Sequence, residues 1–337
     1  MAHITLVLPF ALPLPEFAPD LIRALDAPAL AALLSRTSNA RRLPVSDGAY
    51  ALPHESWLAR TLRLSSDGRP AFAHAAMRGF GLDPNGATWR LVTPGHIQVA
   101  RSHLMMADPR QLHLNDADSR ALFDSARALC EELGQVLVFG DATTWFLRAD
   151  GWSGFETASP DTVVGMDLTD FMPKNAEARP FRRLQNDVQM AWHAHPANAA
   201  REARRLAPVN AFWVWGDGGE PGSMPTLTTY AAPGWLAALG KERLDTLDAL
   251  GGVLASDGML VAGNLAEAAI AADWSAWLGQ MQHLESALFA PLLAALKDGR
   301  VRELRMVLSS REGLLESSTT PMAQRKFWRR PTLDALI

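Results

Sequence analysis

Strand-like and helix-like stretches alternate at both ends of this 337-residue chain, around a middle of different texture. That alternation constrains the fold more than any other feature, because it calls for a sheet covered by helices. At the start, Ile4 to Leu8 ("ITLVL") reads as a buried first strand stopped by Pro9. The run is too short to cross a bilayer, is broken again by Pro13 and Pro15, and carries no basic leader. A cytoplasmic protein without membrane contact is the expectation. "LIRALDAPALAALLSR" suggests a helix with Asp26 near its start and Pro28 in its first turn. "HESWLARTLRL" suggests another, with Trp57, Leu58, Thr61 and Leu62 on one face. Near the other end, Trp274, Trp277, Leu278, Met281, Leu284, Leu288, Leu292 and Leu296 form a long helical stripe, and "ELRMVLSS" reads as a terminal strand.

The middle reads differently. "WRLVTPGHIQVARSHLMM" looks like strands, "NDADSRALFDSARALCEELG" like a capped amphipathic helix, and "QVLVFG" with "TTWFLRA" like paired strands. The expected architecture is therefore an α/β domain built from residues 1–88 and 181–337, interrupted by a smaller α+β domain at 89–180. Cys130, the single cysteine, leaves no internal disulfide framework and fits a reducing compartment. It shares a helical stripe with Leu122, Ala126, Leu129 and Leu133, where burial suits it better than nucleophilic chemistry. The net charge of −4 gives no basis for a broad nucleic-acid footprint. Only four of the 32 basic residues are lysines, so one arginine near a candidate site says little about phosphate.

Candidate chemistry gathers in "WHAHPANAAREARRLAPVNAFWVWGDGG". On a strand His193 and His195 would share a face and could grip one metal; on a helix they would not, and the preceding pattern is helical. Pro196 breaks that helix, which leaves Asn198 to cap the next one. A helix N-terminus with Arg201 one turn along could receive an anion. "WGDGGEPG", with Gly216 and Gly218, matches neither the dinucleotide glycine spacing nor a Walker A loop, and reads as a turn. Near the C-terminus "QRKFWRR" is either a solvated tail or a surface for an acidic ligand or partner. There is no Gly-x-Ser-x-Gly elbow, no His-Glu-x-x-His and no paired-cysteine motif.

The segment His195-Pro-x-Asn198-x-x-Arg201 with the later Asn210 resembles archaeal-type cofactor-independent phosphoglycerate mutases, and among them a bacterial branch of RpfE-type regulatory proteins. The resemblance extends to the order of elements and to the closing "STTP". It implies an α/β, alkaline-phosphatase-like core with an inserted smaller α+β domain. Catalysts on that fold hold two divalent metals with Asp and His ligands and use a serine nucleophile.

This chain departs from that pattern at each such place. The family's Asp past the first strand is missing from "LVLPFALPLP". "VLSSREGLLESSTTP" keeps Ser318, Thr319, Thr320 and Pro321 without the Asp-His pair, and no Asp-His dipeptide occurs anywhere. Asp273 and His283 stand ten residues apart where an Asp/His-rich stretch is expected, and "KFWRRP" lacks the family's terminal histidine. His54 falls where the serine nucleophile would sit. The resemblance and its gaps together imply a metal-free, cofactor-free, catalytically degenerate relative with a regulatory role or a phosphorylated-metabolite ligand. Asn198, Arg201, Asn210, Gly216 and Gly218 would line the anion site. The alternatives are a mutase or phosphatase rearranged around His54, or a protein-interaction module using the Trp-rich surface and "QRKFWRR".

Overall fold

A strand as apolar as Ala2–Leu8 must be covered on both faces, and it lies in the middle of a sheet. The computed structural model describes residues 2–44, 50–66, 69–100, 103–152, 156–217 and 226–337. Within them the chain forms two compact units, Met1–Ala49 with Met224–Ile337, and Tyr50–Ser223. The expected boundaries at 88/89 and 180/181 lie elsewhere along the chain.

The first unit is built on a seven-stranded sheet. From edge to edge the strands are Glu242–Leu244, Leu227–Tyr230, Gly258–Ala262, Ala2–Leu8, Val301–Ser309, Gly313–Thr319 and Asn39–Pro44. The first five run parallel, and Gly313–Thr319 runs antiparallel between Val301–Ser309 and Asn39–Pro44. Leu6 sits opposite both Leu260 and Met306, and Leu6, Val7 and Leu8 are wholly buried.

The long stripe after Trp274 is not one regular helix. An α-helix over Trp274–Leu284 passes through a π-helical turn at Glu285–Phe289 into a second α-helix, Ala290–Lys297. The sequence contains the reason. Leu284, Leu288, Leu292 and Leu296 are spaced four residues apart, so three steps cover twelve residues where three α-turns cover about 10.8. The π turn absorbs the surplus residue, and all four leucines stay buried. The same turn carries Glu285, whose carboxylate accepts from the Ala29 and Leu30 N–H groups at 2.6 and 3.1 Å. Those are orphan donors at the start of the Pro28–Ser35 helix, whose own N-cap, Ala27, has no side chain to offer.

The second unit holds a four-stranded antiparallel sheet, in the order Ala211–Trp215, Trp89–Gly95, Thr144–Arg148 and Leu137–Asp141. The helices Asp116–Glu132 and Arg179–His193 pack with it around Trp145, Trp192, Phe181 and Phe212. This explains the shift of boundary: Phe181, Leu184, Val188 and Trp192 turn their stripe into this core, and Ala211–Trp215 pairs with Trp89–Gly95 rather than with the larger sheet. Cys130 is buried in the same cluster, and burial, with Glu131 beside it, pushes its thiol up to about 12. No helix among the described residues is long and apolar enough to cross a membrane.

Replacing Glu285 by Ala orphans two helix-terminal donors and should lower stability by about 1–2 kcal/mol in chemical denaturation. An unchanged midpoint would show that water replaces the carboxylate without loss.

Candidate functional site

The segment that carries most of the sequence signal is built from backbone satisfaction. The Arg179–His193 helix stops, and Pro196–Ala203 begins another. The N-cap of the second is His195, whose Nδ1 accepts from the Ala197 N–H at 3.2 Å; Asn198 is not the cap, because it lies inside the helix, in its first turn. Its side chain is buried instead. Nδ2 donates to the Trp192 and Val209 carbonyls, both at 2.8 Å, and Oδ1 accepts from the Val209 N–H at 2.8 Å. One amide thus ties the end of one helix to the chain entering the Ala211–Trp215 strand. His193 is exposed at its helix end, so the two histidines form no pair on one face.

Arg201 was expected to face a cleft. It is wholly buried, and its guanidinium is committed: Nε donates to the Ala207 carbonyl at 3.0 Å, Nη2 to the Leu112 carbonyl at 2.6 Å, and Nη1 lies 3.4 Å from Asp118. Burial lowers its pKa, against the pull of Asp118. The cause is plain: among the described residues no backbone N–H bonds the loop carbonyls of Leu112 and Ala207, and the guanidinium supplies their donors. Asn210 does the same for the backbone of one residue, accepting from the Ile97 N–H at 2.6 Å and donating to the Ile97 carbonyl at 2.9 Å. Gly216 has φ +61°, the left-handed region that favours glycine, and a Cβ there would meet Leu91 at 3.4 Å. Gly218 lies outside the described residues.

His54 sits in a separate polar cluster of the same unit, at the start of the Pro53–Thr61 helix, and is only 4% exposed. Arg110 lies at its centre. It holds Asp161 with both Nη atoms, at 2.9 and 2.6 Å, and Asp108 at 2.9 Å. Burial disfavours the Arg110 charge, yet Asp161 and Asp108 outweigh it and raise the pKa. For His54 burial wins: its pKa falls to about 4, with Asp161 opposing and Arg110 assisting. The imidazole is therefore neutral at pH 7, but shut away from any phosphoryl donor. Sequence reading found His54 without its partners, because Asp108, Arg110 and Asp161 come from distant short turns and arginine is common throughout. The pair of Arg90 with Asp217 at 2.9 Å was missed for the same reason.

In the first unit, the carboxyl ends of the parallel strands are where open α/β sheets take ligands. After Leu8 the chain continues as Phe10, Ala11 and Leu12, all buried. Phe10 has φ 60°, its carbonyl accepts from Trp277 Nε1 at 3.0 Å, and the Leu12 N–H bonds the Ser309 carbonyl at 3.0 Å. Ser309 is wholly buried, and Ser310 opens a tight hairpin to Gly313. Of the closing "STTP", the Thr319 hydroxyl donates to the Arg36 carbonyl at 2.7 Å, and Thr320 caps the Pro321–Gln324 helix. Asp273 caps the Trp274–Leu284 helix, about 15 Å along its axis from His283. Among the described residues no group of three or more His, Cys, Asp or Glu is placed to hold a metal ion.

Over 141 residues, 40% of this chain and 35% of the relative, the sequence is 28% identical to the 2,3-bisphosphoglycerate-independent phosphoglycerate mutase of Methanosarcina barkeri. A second such mutase, from Methanothermobacter thermautotrophicus, is 24% identical over 141 residues, with the same shares of 40% and 35%. The chain is phosphoglycerate-mutase-like. Its matches span about a third of the length of those curated relatives. The PH0037 protein of Pyrococcus horikoshii has the same fold, with a TM-score of 0.54 at 11% identity over 99% of this chain and 91% of that one. No family model matches the chain.

Two outcomes follow. Asn198→Ala leaves the Val209 N–H and carbonyl without their partner, while the Trp192 carbonyl still accepts from the His195 N–H, and should cost about 1–3 kcal/mol in denaturant titration; a loss below about 0.5 kcal/mol would remove the locking role. His54 binds no proton until about pH 4, whereas an unfolded histidine does so near 6.5, so stability rises with pH across that window. It is lost as pH falls from 6.5 toward 4, by on the order of 3 kcal/mol, and His54→Gln should flatten that slope.

Proposed function

We propose that this chain is a catalytically degenerate, mutase-like protein with a regulatory or anionic-metabolite-binding role. One observation carries the reading. The place just past the first core strand, where the family resemblance puts a metal-binding carboxylate, is filled by Phe10, Ala11 and Leu12, and all three are buried. An apolar plug there supplies no oxygen or nitrogen donor, so these residues do not fit a two-metal centre, which needs several Asp or His ligands together. The buried Ser309 and the hairpin after it extend the seal to the next strand.

Asn198, Arg201 and Asn210 are spent on backbone groups, so an anionic ligand of this protein binds through other residues. A cytoplasmic setting belongs to the same proposal, supported by the buried thiol of Cys130. The rival reading, a mutase or phosphatase working through His54, fits the family relationship equally well. It gains from the neutral imidazole and loses from its burial.

Protein incubated with manganese or zinc and then desalted should retain less than about one equivalent of metal. Interconversion of 2- and 3-phosphoglycerate should be undetectable. Activity that survives repurification and vanishes in His54→Ala would favour the rival, and two tightly held metals per chain would defeat the degenerate reading.

A further inference from the structure

Near the C-terminus, Phe327 and Trp328 are 82% and 69% exposed, and Met322 is 77% exposed. Among the described residues these are the most solvent-facing large apolar side chains of the first unit. The two rings meet edge-to-face at 5.2 Å and 83°, so they form one apolar tip. Around it stand Arg325, Lys326, Arg329 and Arg330, and no Asp or Glu occurs between Glu316 and Asp334. The tip is held in place. Lys326 donates to the Thr37 carbonyl at 2.8 Å, Arg329 to the Ser35 carbonyl at 3.3 Å, and the Thr332 N–H to the Ser35 hydroxyl at 2.9 Å. Arg325 and Arg330 are exposed and make no side-chain hydrogen bond or ion pair among the described residues.

We propose that this tip docks the protein reversibly on an anionic membrane surface, Phe327 and Trp328 entering the headgroup boundary while Arg325 and Arg330 pair with lipid phosphates. The absence of membrane contact expected from the sequence rested on its short apolar runs, and a peripheral contact needs no span. Three observations favour lipid. The apolar groups protrude, and a fluid interface accepts a protrusion without a matching recess. Aromatic rings with basic neighbours suit the headgroup level and its negative potential. The chain as a whole carries −4, so an anionic surface repels the rest of the molecule and turns this patch inward. A single-stranded nucleic acid would instead want open ring faces on which bases stack, and the edge-to-face pair closes one of them.

The test is co-sedimentation of the full chain with phosphatidylcholine vesicles, with and without phosphatidylglycerol, at low and high salt. The expected result is binding to the mixed vesicles alone, weakened by salt. Phe327→Ser with Trp328→Ser, and separately Arg325→Glu with Arg330→Glu, should each weaken it about tenfold. Both pairs are solvent-exposed, and an unchanged melting temperature verifies folding. The proposal is overturned if wild type stays in the supernatant with mixed vesicles, or if both variants sediment like wild type. Binding to polyglutamate or oligothymidine without binding to vesicles would also overturn it, assigning the patch to an acidic protein or a nucleic acid.

Discussion

The parallel pairing of Ala2–Leu8 is the constraint on which the first unit depends. Its neighbours are Gly258–Ala262 on one side and Val301–Ser309 on the other, so the second residue of the chain finds its register only against strands made near the end. Such pairing meets a large loop-closure cost before any contact rewards it. The second unit eases this, because its sheet and both of its packed helices come from one continuous stretch, Tyr50–Ser223. A folded insert shortens the effective loop that the first strand must close. The antiparallel hairpin of Val301–Ser309 with Gly313–Thr319 is local, and offers a preformed edge for the first strand to join.

Much of this was legible in the sequence because the local period was strong. The first strand, the capped Asp116–Glu132 helix, the strand pair around Thr144 and the strand Val301–Ser309 all stand where their patterns put them, although the last is not terminal, since Gly313–Thr319 follows it. What was not legible was partnership. "VNAFWVW" reads as a strand in any sheet, and nothing local says that Trp213 will face Thr93. The short parallel strands Leu227–Tyr230 and Gly258–Ala262 carry too few residues for a period to show. The polar residues failed differently. Asn198 and Arg201 look like ligands because amide and guanidinium groups suit anions, but the same groups suit orphan carbonyls, and only the fold says which are nearer.

That ambiguity bears on the resemblance itself. The residues by which the family is recognised in this chain, His195, Asn198, Arg201 and Asn210, stitch helix ends and a strand entrance together. Their presence therefore speaks for the scaffold and says little about catalysis. A chain under pressure to fold keeps such locks whether or not it keeps a reaction.

The π turn at Glu285–Phe289 places a further limit on how this chain can change. One residue more than the α-helical repeat requires is stored there, and it keeps the leucines on both sides facing inward. Loss of a single codon within the turn would bring the Leu284-to-Leu296 spacing close to the roughly 10.8 residues of three α-turns, so the helix would run through as regular α with Leu292 and Leu296 still facing inward. What such a loss would remove is the widened turn that carries the Glu285 carboxylate to the Ala29 and Leu30 N–H groups. Loss or gain of a residue anywhere else in this helix would instead rotate its core face by about 100°, so tolerance of a length change is confined to this one turn and to the surface loops.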